Sequence, residues 1–375
     1  YRALPAGAFD SVVVVGAGHC KAVAGAALYP GDYGSPLGPL LFDAELAGKM
    51  LSESELIAPD PTAHAGEHSV EVQVPFILKT LGSVKAVCLL MNTSELADAV
   101  AVGHALARSL AGRKTLLVAS TDLSHFPTSA TADLVDPTTL EALALMDPAT
   151  FWLSNKCMMN RGIPGLGTTC CGAAAVAALM TAAKDLGATG MKVLERTHSG
   201  AVTGEQDSPR VVGYAAAAFI RGGSTGPRAL TAEEQGALLA CAREAITRRL
   251  AGGREARGEL SPLARLNLPG SAFVTLTDPE GELRGCIGDL EPRQTLLDSV
   301  RRNAASAAFS DPRFPALTAD ESAGVRIEAD ALKEVYRLTK GFPYFVQELG
   351  YQAWNVAQAS PITLPLVRAA TARVV

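Results

Sequence analysis

The 375-residue sequence has little of what marks nucleic-acid-binding and membrane proteins. Lys and Arg total 33 against 38 Asp and Glu, a net charge of −5, so no basic surplus favours an anionic partner. The most apolar stretches, 170–183 and 211–220, are broken by Gly, Thr or Tyr. Both are shorter than the roughly 18 uninterrupted residues of a membrane-spanning helix. We therefore predict a protein that binds neither nucleic acid nor membrane.

Several familiar catalytic signatures are also missing. The sequence has no phosphate loop ending in Gly-Lys-Ser or Gly-Lys-Thr, no Gly-x-Ser-x-Gly elbow, no His-Glu-x-x-His helix and no Cys-x-x-Cys pair. Gly16 and Gly18 begin a dinucleotide fingerprint, but Lys21 occupies the third glycine position. Seven irregularly spaced cysteines do not suggest a secreted disulfide scaffold, which favours the cytoplasm.

The hydrophobic pattern divides the chain into segments. Residues 1–221 alternate buried-strand runs (12–15, 84–91, 115–119) with helical segments (43–51, 96–110, 138–146, 172–185), which predicts an α/β domain. Residues 222–228 are Gly-rich and are expected to form a linker. Residues 229–330 combine a capping box, a hairpin and a helix, which predicts an α+β domain. From residue 331, clustered aromatics favour a short helical tail.

Histidine is scarce, with six in all, and two of the six follow predicted strands. His19 ends Val-Gly-Ala-Gly-His, and His125 stands three residues after Asp122. The carboxyl ends of strands in an α/β sheet surround a crevice where ligands usually bind. Two imidazoles and a carboxylate at that edge are typical of a metal site. The alternative is a polar strand end in which Asp122 caps a turn.

Two further motifs carry reactive groups. His68 lies between carboxylates and is either a general base or a surface histidine hydrogen-bonded to Glu71. Cys170 and Cys171 directly precede Gly172 and an Ala-rich helix, whose N-terminus would stabilise a thiolate able to ligate a metal or act as a nucleophile. The alternative is a pair of small apolar residues at a tight helix start.

Five ordered motifs within residues 10–221 resemble the Memo-like family, known in bacteria as AmmeMemoRadiSam system protein B. They are Gly-Ala-Gly-His19, Glu67-His68-Ser69-Val70-Glu71, Asp122-Leu-Ser-His125, Thr-Cys-Cys171-Gly and Val211-Val-Gly-Tyr-Ala. The resemblance implies a fold like class III extradiol dioxygenases and a cleft that binds iron or copper. By motif, His19, His125 and Cys171 are the implied metal ligands. The resemblance also implies that Asp122, beside these ligands, is catalytic and that His68 is an acid–base group. The family's Pro-His-Ala-Gly motif does not occur in this chain, so we expect an N-terminally incomplete domain.

Two strings in residues 229–330 resemble the AMMECR-type domain, AmmeMemoRadiSam system protein A. They are Leu-Arg-Gly-Cys286-Ile-Gly and Asp311-Pro-Arg-Phe-Pro. The expected C-terminal half of that domain is missing after residue 328. Residues 331–375 instead resemble a helical fragment of an AAA-type ATPase. Pairing of proteins A and B with a radical-SAM protein in one gene set implies such a protein as a partner.

The motifs lead to one expected function and two alternatives. The expectation is a metal-binding, redox-type, dioxygenase-like fusion protein acting on a small molecule in a His/Asp/Cys cleft, with iron or copper as cofactor. The first alternative is a non-catalytic binding or assembly module that works with the radical-SAM partner. The second is a metal-independent hydrolase that uses Cys171 as its nucleophile.

Overall fold

The computed structural model of the chain describes residues 1–5, 7–223, 229–253 and 259–328. The chain divides into two compact units, Tyr1–Gly226 and Pro227–Val375, and each is described by itself. Most of the predicted linker and all of the predicted tail lie outside the described residues.

The first unit contains eight strands and eight α-helices in the described residues. The strands are β1 Ser11–Ala17, β2 Ala26–Tyr29, β3 Leu41–Phe42, β4 Ile57–Pro59, β5 Lys85–Met91, β6 Thr115–Ser120, β7 Gly190–His198 and β8 Gly213–Ile220. The helices are α1 Ala44–Glu53, α2 Pro61–His64, α3 Val74–Leu81, α4 Leu96–Leu110, α5 Ser129–Ala144, α6 Pro148–Asn160, α7 Ala173–Asp185 and α8 Ser199–Thr203.

A sheet of six strands, rich in parallel pairs, forms the centre of this unit. Its order is β4-β2-β5-β1-β6, with β3 also paired to β5. β1 lies between β5 and β6 and is parallel to both, and all seven of its residues are buried. The continuous Val12–Val15 run is what a strand covered on both faces requires. Because these three strands are parallel, their carboxyl ends meet at one edge, as the sequence predicted.

The final two strands do not join the central sheet. β7 and β8 pair only with each other, as an antiparallel two-stranded ribbon, among the described residues. Helix α5 also differs from the prediction, because it begins at Ser129 rather than at residue 138. Pro137 lies inside the helix, and the Thr128 side chain caps its N-terminus.

Helices α4 and α7 pack against each other at a glycine. A Cβ at Gly103 would lie 2.5 Å from the Ala178 carbonyl oxygen and 2.6 Å from the Thr181 Cβ. Protein interiors are close-packed, so no side chain fits there without moving one helix. Gly48, in contrast, is exposed on α1 with open space around it.

The second unit has α+β architecture, as predicted. Its three-stranded antiparallel sheet has the order β10-β9-β11, built from β9 Phe273–Thr277, β10 Leu283–Gly288 and β11 Arg326–Glu328. Helices α9 Ala232–Leu250 and α10 Leu296–Phe309 supply apolar residues to its core, and α11 Ala319–Ser322 precedes β11. The predicted capping box forms: Thr231 and Glu234 each accept the other's backbone N–H.

No helix in the described parts of either unit is long and apolar enough to cross a membrane.

We predict opposite effects of adding one methyl group at the two helical glycines. Gly103→Ala should destabilise the first unit by about 1–3 kcal/mol, because the methyl overpacks the α4–α7 contact. Gly48→Ala should stabilise it by roughly 0.5–1 kcal/mol, because alanine restricts the unfolded chain. Urea unfolding, followed by hydrogen exchange of peptides from this unit, measures both. If Gly103→Ala left the free energy of unfolding unchanged, the close packing of α4 against α7 would be contradicted.

Candidate functional site: a histidine, carboxylate and thiol cluster

A buried carboxylate organises the loop that carries His19. The Glu67 side chain is 1% exposed, and its oxygens accept backbone N–H groups of His19, His68 and Ser69 at 2.5, 2.8 and 3.0 Å. Burial alone would raise the pKa of Glu67, but these hydrogen bonds and the His19 side chain lower it to about 2. Glu67 is therefore a permanent anion behind the histidines.

His19, after β1, and His68, after α2, stack on each other in front of Glu67. The rings of His19 and His68 are 5.2 Å apart and 13° from parallel. His19 Nδ1 lies 3.1 Å and His68 Nδ1 3.4 Å from Glu67 Oε1. Burial would lower the pKa of His19, but the Glu67 hydrogen bond and an interaction with Cys171 raise it. The His68 side chain is 68% exposed, so its predicted acid–base role stays a prediction.

The loop after β6 delivers Asp122 and His125. Leu123 donates its N–H to the Gly213 carbonyl at 2.9 Å, and Gly213 donates to the Ser124 carbonyl at 2.8 Å. Beneath the loop, the fully buried Asp136 accepts the Ser124 N–H at 3.0 Å. Burial raises the pKa of this carboxyl. The loop is thus fixed from both sides.

Cys171 reaches this loop because Gly172 allows close approach. The Gly172 N–H donates to the Thr121 hydroxyl at 2.8 Å, and a Cβ on Gly172 would lie 2.8 Å from the Thr121 Cβ. The Cys171 sulfur accepts the Asp122 N–H at 3.3 Å. Burial would raise the pKa of Cys171, but interactions with His125, Asp122, Thr121 and His19 lower it to about 7. The neighbouring Cys170 is buried, which raises its pKa to about 12.

The structure places the predicted residues in two groups of side chains that Cys171 connects, and we call the two groups together the cluster. Ligand atoms of Asp122, His125 and Cys171 lie within 4.8 Å of one another, as do those of His19, Glu67 and His68. Cys171 joins the groups because it interacts with both His125 and His19. Asp122 and then Cys171 raise the pKa of His125 to about 9. His125 Nε2 is 3.5 Å from Asp122 Oδ2 but is buried without an aligned hydrogen bond.

Sequence reasoning missed the residues that hold this cluster in place. Glu67 was considered only as a flank of His68, and the structure shows it behind both histidines. Its position next to His68 was the available signal. Asp136 gave none, because it is an ordinary acidic residue in a helix until folding buries it under Ser124. The alternative partner for His68, Glu71, forms no hydrogen bond or ion pair with it among the described residues.

The two AMMECR-type strings meet in the second unit. The Cys286 N–H donates to Asp311 Oδ2 at 2.8 Å, and Arg313 donates to the Cys286 carbonyl at 3.0 Å. Arg313 also binds Asp311 at 2.7 Å. The Arg313 hydrogen bond first, and then those of the Cys286 and Arg313 amides, lower the pKa of the buried Asp311 to about 2. These contacts fix the turn after α10 onto β10.

The first unit is an α/β domain whose parallel-rich sheet carries imidazole, carboxylate and thiol groups at its strand ends. Residues 1–218 match the Memo-like protein family model, and the chain belongs to that family. Residues 239–358 match the AMMECR1 family model, so the second unit is an AMMECR1 domain. That match extends to residue 358, well into the predicted tail. The resemblance of residues 331–375 to an AAA-type ATPase finds no support.

The chain is similar to several MEMO1 family proteins. The chain is 37% identical over 187 residues to one from Methanothermobacter thermautotrophicus, covering 49% of this chain and 64% of the relative. The chain is also 31% identical over 224 residues to a MEMO1 family protein from Nitrosopumilus maritimus, covering 59% of this chain and 77% of the relative. A solved structure of an uncharacterized protein from Pyrococcus horikoshii is 32% identical, covering 24% of this chain and 46% of that one with a TM-score of 0.23, too little overlap to define a fold.

We predict that Cys171 is labelled at lower pH than an ordinary thiol. In metal-free protein, alkylation by iodoacetamide should show a midpoint near pH 7, since the species that reacts is the thiolate. His125→Asn should move the midpoint upward, because it removes the strongest interaction that favours the thiolate. Peptide mass spectrometry measures both, with the exposed Cys20 reporting general accessibility. If His125→Asn left the pH midpoint of Cys171 alkylation unchanged, the interaction between His125 and Cys171 would be contradicted.

We also predict that Asp311 makes the second unit acid-sensitive. Folding lowers the pKa of Asp311 from about 4 in the unfolded chain to about 2. The stability that Asp311 gives to the fold is therefore present above the unfolded pKa and is lost as the pH falls towards 2. Asp311→Asn should lower the unfolding midpoint at pH 7 and flatten the decline between pH 4 and 2. Hydrogen exchange of β10 peptides reports the change. The exposed Asp320→Asn is the control, and equal behaviour of the two variants would refute the role.

Proposed function

We propose that the first unit binds one iron or copper ion through His19, His125 and Cys171 and performs redox-type, dioxygenase-like chemistry on a small molecule. Asp122 and His68 act beside the ion. The observation that carries the proposal is the convergence of two imidazoles on one low-pKa thiol at the carboxyl ends of β1 and β6. Such strand ends are where α/β sheets bind ligands.

The donor atoms fit such an ion. Imidazole nitrogen with thiolate sulfur suits iron or copper, whereas Mg²⁺ and Ca²⁺ prefer oxygen ligands alone. The Cys171 pKa of about 7 makes the thiolate available near neutral pH. The buried His125 Nε2, which lacks an aligned hydrogen bond, is the orphaned donor atom that a metal ligand would leave. The ion would supply Lewis acidity and one-electron redox chemistry.

The surrounding residues orient the ligands and hold protons. Glu67 faces His19 Nδ1, which leaves the other ring nitrogen for Cys171 and the ion; carboxylate–histidine–metal triads are built this way. Asp122 faces His125 Nε2 and would orient that ring, and the proton that His125 gives up on becoming a ligand would leave to water. His68 stands exposed at the rim beside His19, where it can exchange a proton between the bound molecule and water.

We predict that anaerobically purified protein binds close to one iron or copper ion per chain. His19→Ala and Cys171→Ser should each reduce the bound metal by at least about tenfold, because each removes one of three ligands. His104→Ala and Cys20→Ser are matched controls, since His104 pairs with Asp185 away from the cluster and Cys20 is an exposed cysteine outside the ligand set. Elemental analysis and equilibrium dialysis measure the stoichiometry.

The same experiment separates the alternatives. A metal-free wild type would refute the proposal and favour a binding or assembly module that works with a radical-SAM partner. Thiol-reagent sensitivity of an activity without metal dependence would instead favour a Cys171 hydrolase. Metal binding followed by O₂-dependent consumption of an aromatic diol would support the dioxygenase-like chemistry.

A further inference from the structure

Phe126, directly after His125, has a backbone conformation that side-chain-bearing residues rarely adopt. Its φ is +72°, and only one other non-glycine residue in the described parts of the chain, Met146, has a positive φ. Four backbone hydrogen bonds of 2.7–3.0 Å hold this conformation. The donors are the N–H groups of His125, Gly167, Phe126 and Val211, and the acceptors are the carbonyl oxygens of Thr168, His125, Val211 and Pro127, respectively. Backbone strain held in this way is concentrated at functional sites.

The strained backbone holds the Phe126 ring in contact with both His125 and an arginine. The Phe126 and His125 ring centroids are 5.3 Å apart, and the Arg210 guanidinium carbon lies 4.0 Å from the Phe126 centroid. Arg210 is therefore at most about 9.3 Å from the imidazole, whatever the angle between the two vectors. A planar guanidinium stacks well on an aromatic face, and this fixes its position.

The Arg210 side chain keeps its hydrogen-bonding capacity available. It is exposed, and among the residues that the structure describes it makes no ion pair or side-chain hydrogen bond. Other arginines of this unit are engaged: Arg108 pairs with Glu53, Arg113 with Glu45 and Arg196 with Asp133. Stacking on Phe126 leaves the in-plane N–H donors of Arg210 free to bind a planar anion.

The charges around the cluster decide where an anionic group can lie. Asp122 stands 3.5 Å from His125 and is 44% exposed, so a second carboxylate beside it would be repelled. Arg210, stacked on the Phe126 ring, provides a positive charge at most about 9.3 Å from the His125 imidazole. A bound molecule is therefore oriented with its reacting end at the cluster and its anionic end at Arg210.

We propose that Arg210, held by Phe126, is a specificity-determining residue that binds the carboxylate of a small anionic substrate whose reacting end faces His19, His125 and Cys171. This inference rests on the proposed function, since it names the substrate class of the same site. The separation suits a compact molecule about one aromatic ring long.

The test compares two probes that differ only in charge. 3,4-Dihydroxybenzoate carries a carboxylate, and 3,4-dihydroxybenzamide replaces it with a neutral amide of the same shape. Calorimetric titration of the full chain, anaerobically, with and without Fe(II), should show the benzoate binding about tenfold more tightly, as expected for one charge-assisted hydrogen-bonded pair. Arg210→Gln should abolish that preference. Arg249→Gln, at an exposed arginine of the second unit, should retain it.

The outcomes separate this inference from the proposed function. Equal binding of the two probes by the wild type, or binding of neither, would overturn the inference. So would a preference that survives in Arg210→Gln while iron binds normally, and the proposed function would then stand. If the wild type binds no iron but the metal-free protein shows an Arg210-dependent preference, the inference holds and the proposed function fails.

Discussion

The contact between the loop after β6 and the turn before α7 is the constraint on which the cluster depends. The Gly172 N–H binds the Thr121 hydroxyl, and the Cys171 sulfur accepts the Asp122 N–H. A side chain at position 172 would push the two segments apart. Because of this contact, one thiol lies close enough to interact with histidines from two different strand ends, and its pKa falls accordingly.

Two carboxylates, Glu67 and Asp122, flank the histidines at that contact. Glu67 is held ionised by three backbone N–H donors, so it faces His19 as a fixed negative charge. Asp122 faces His125 as Glu67 faces His19, with 3.5 Å between Asp122 Oδ2 and His125 Nε2. Each histidine thus has a carboxylate partner and also faces the thiol. This arrangement selects one orientation of each ring and favours cations over neutral ligands at the centre.

Much of the candidate site could be predicted because its residues lie in short motifs that directly follow recognisable strands. A buried β-branched run followed by Gly-Ala-Gly-His19 predicts a histidine at a strand end, and Asp122 and His125 follow β6 in the same way. Parallel pairing then brings these ends together without further information. Asp136, Phe126 and Arg210 could not be found in this way, because their roles depend on contacts with segments distant in sequence. The separate β7–β8 ribbon was equally hidden, since strand patterns do not specify partners.

The sequence by itself determined the α/β and α+β units, most element positions, the Memo-like and AMMECR1 relationships and the residue types of the cluster. These depend on periodicity, capping and motif order, which are properties of short segments. Only the tertiary structure decided that Cys171 rather than Cys170 has the low pKa, that Glu67 lies behind both histidines and that Arg210 stacks beside the site. Burial and charge proximity set these features, and both arise only when distant segments pack together.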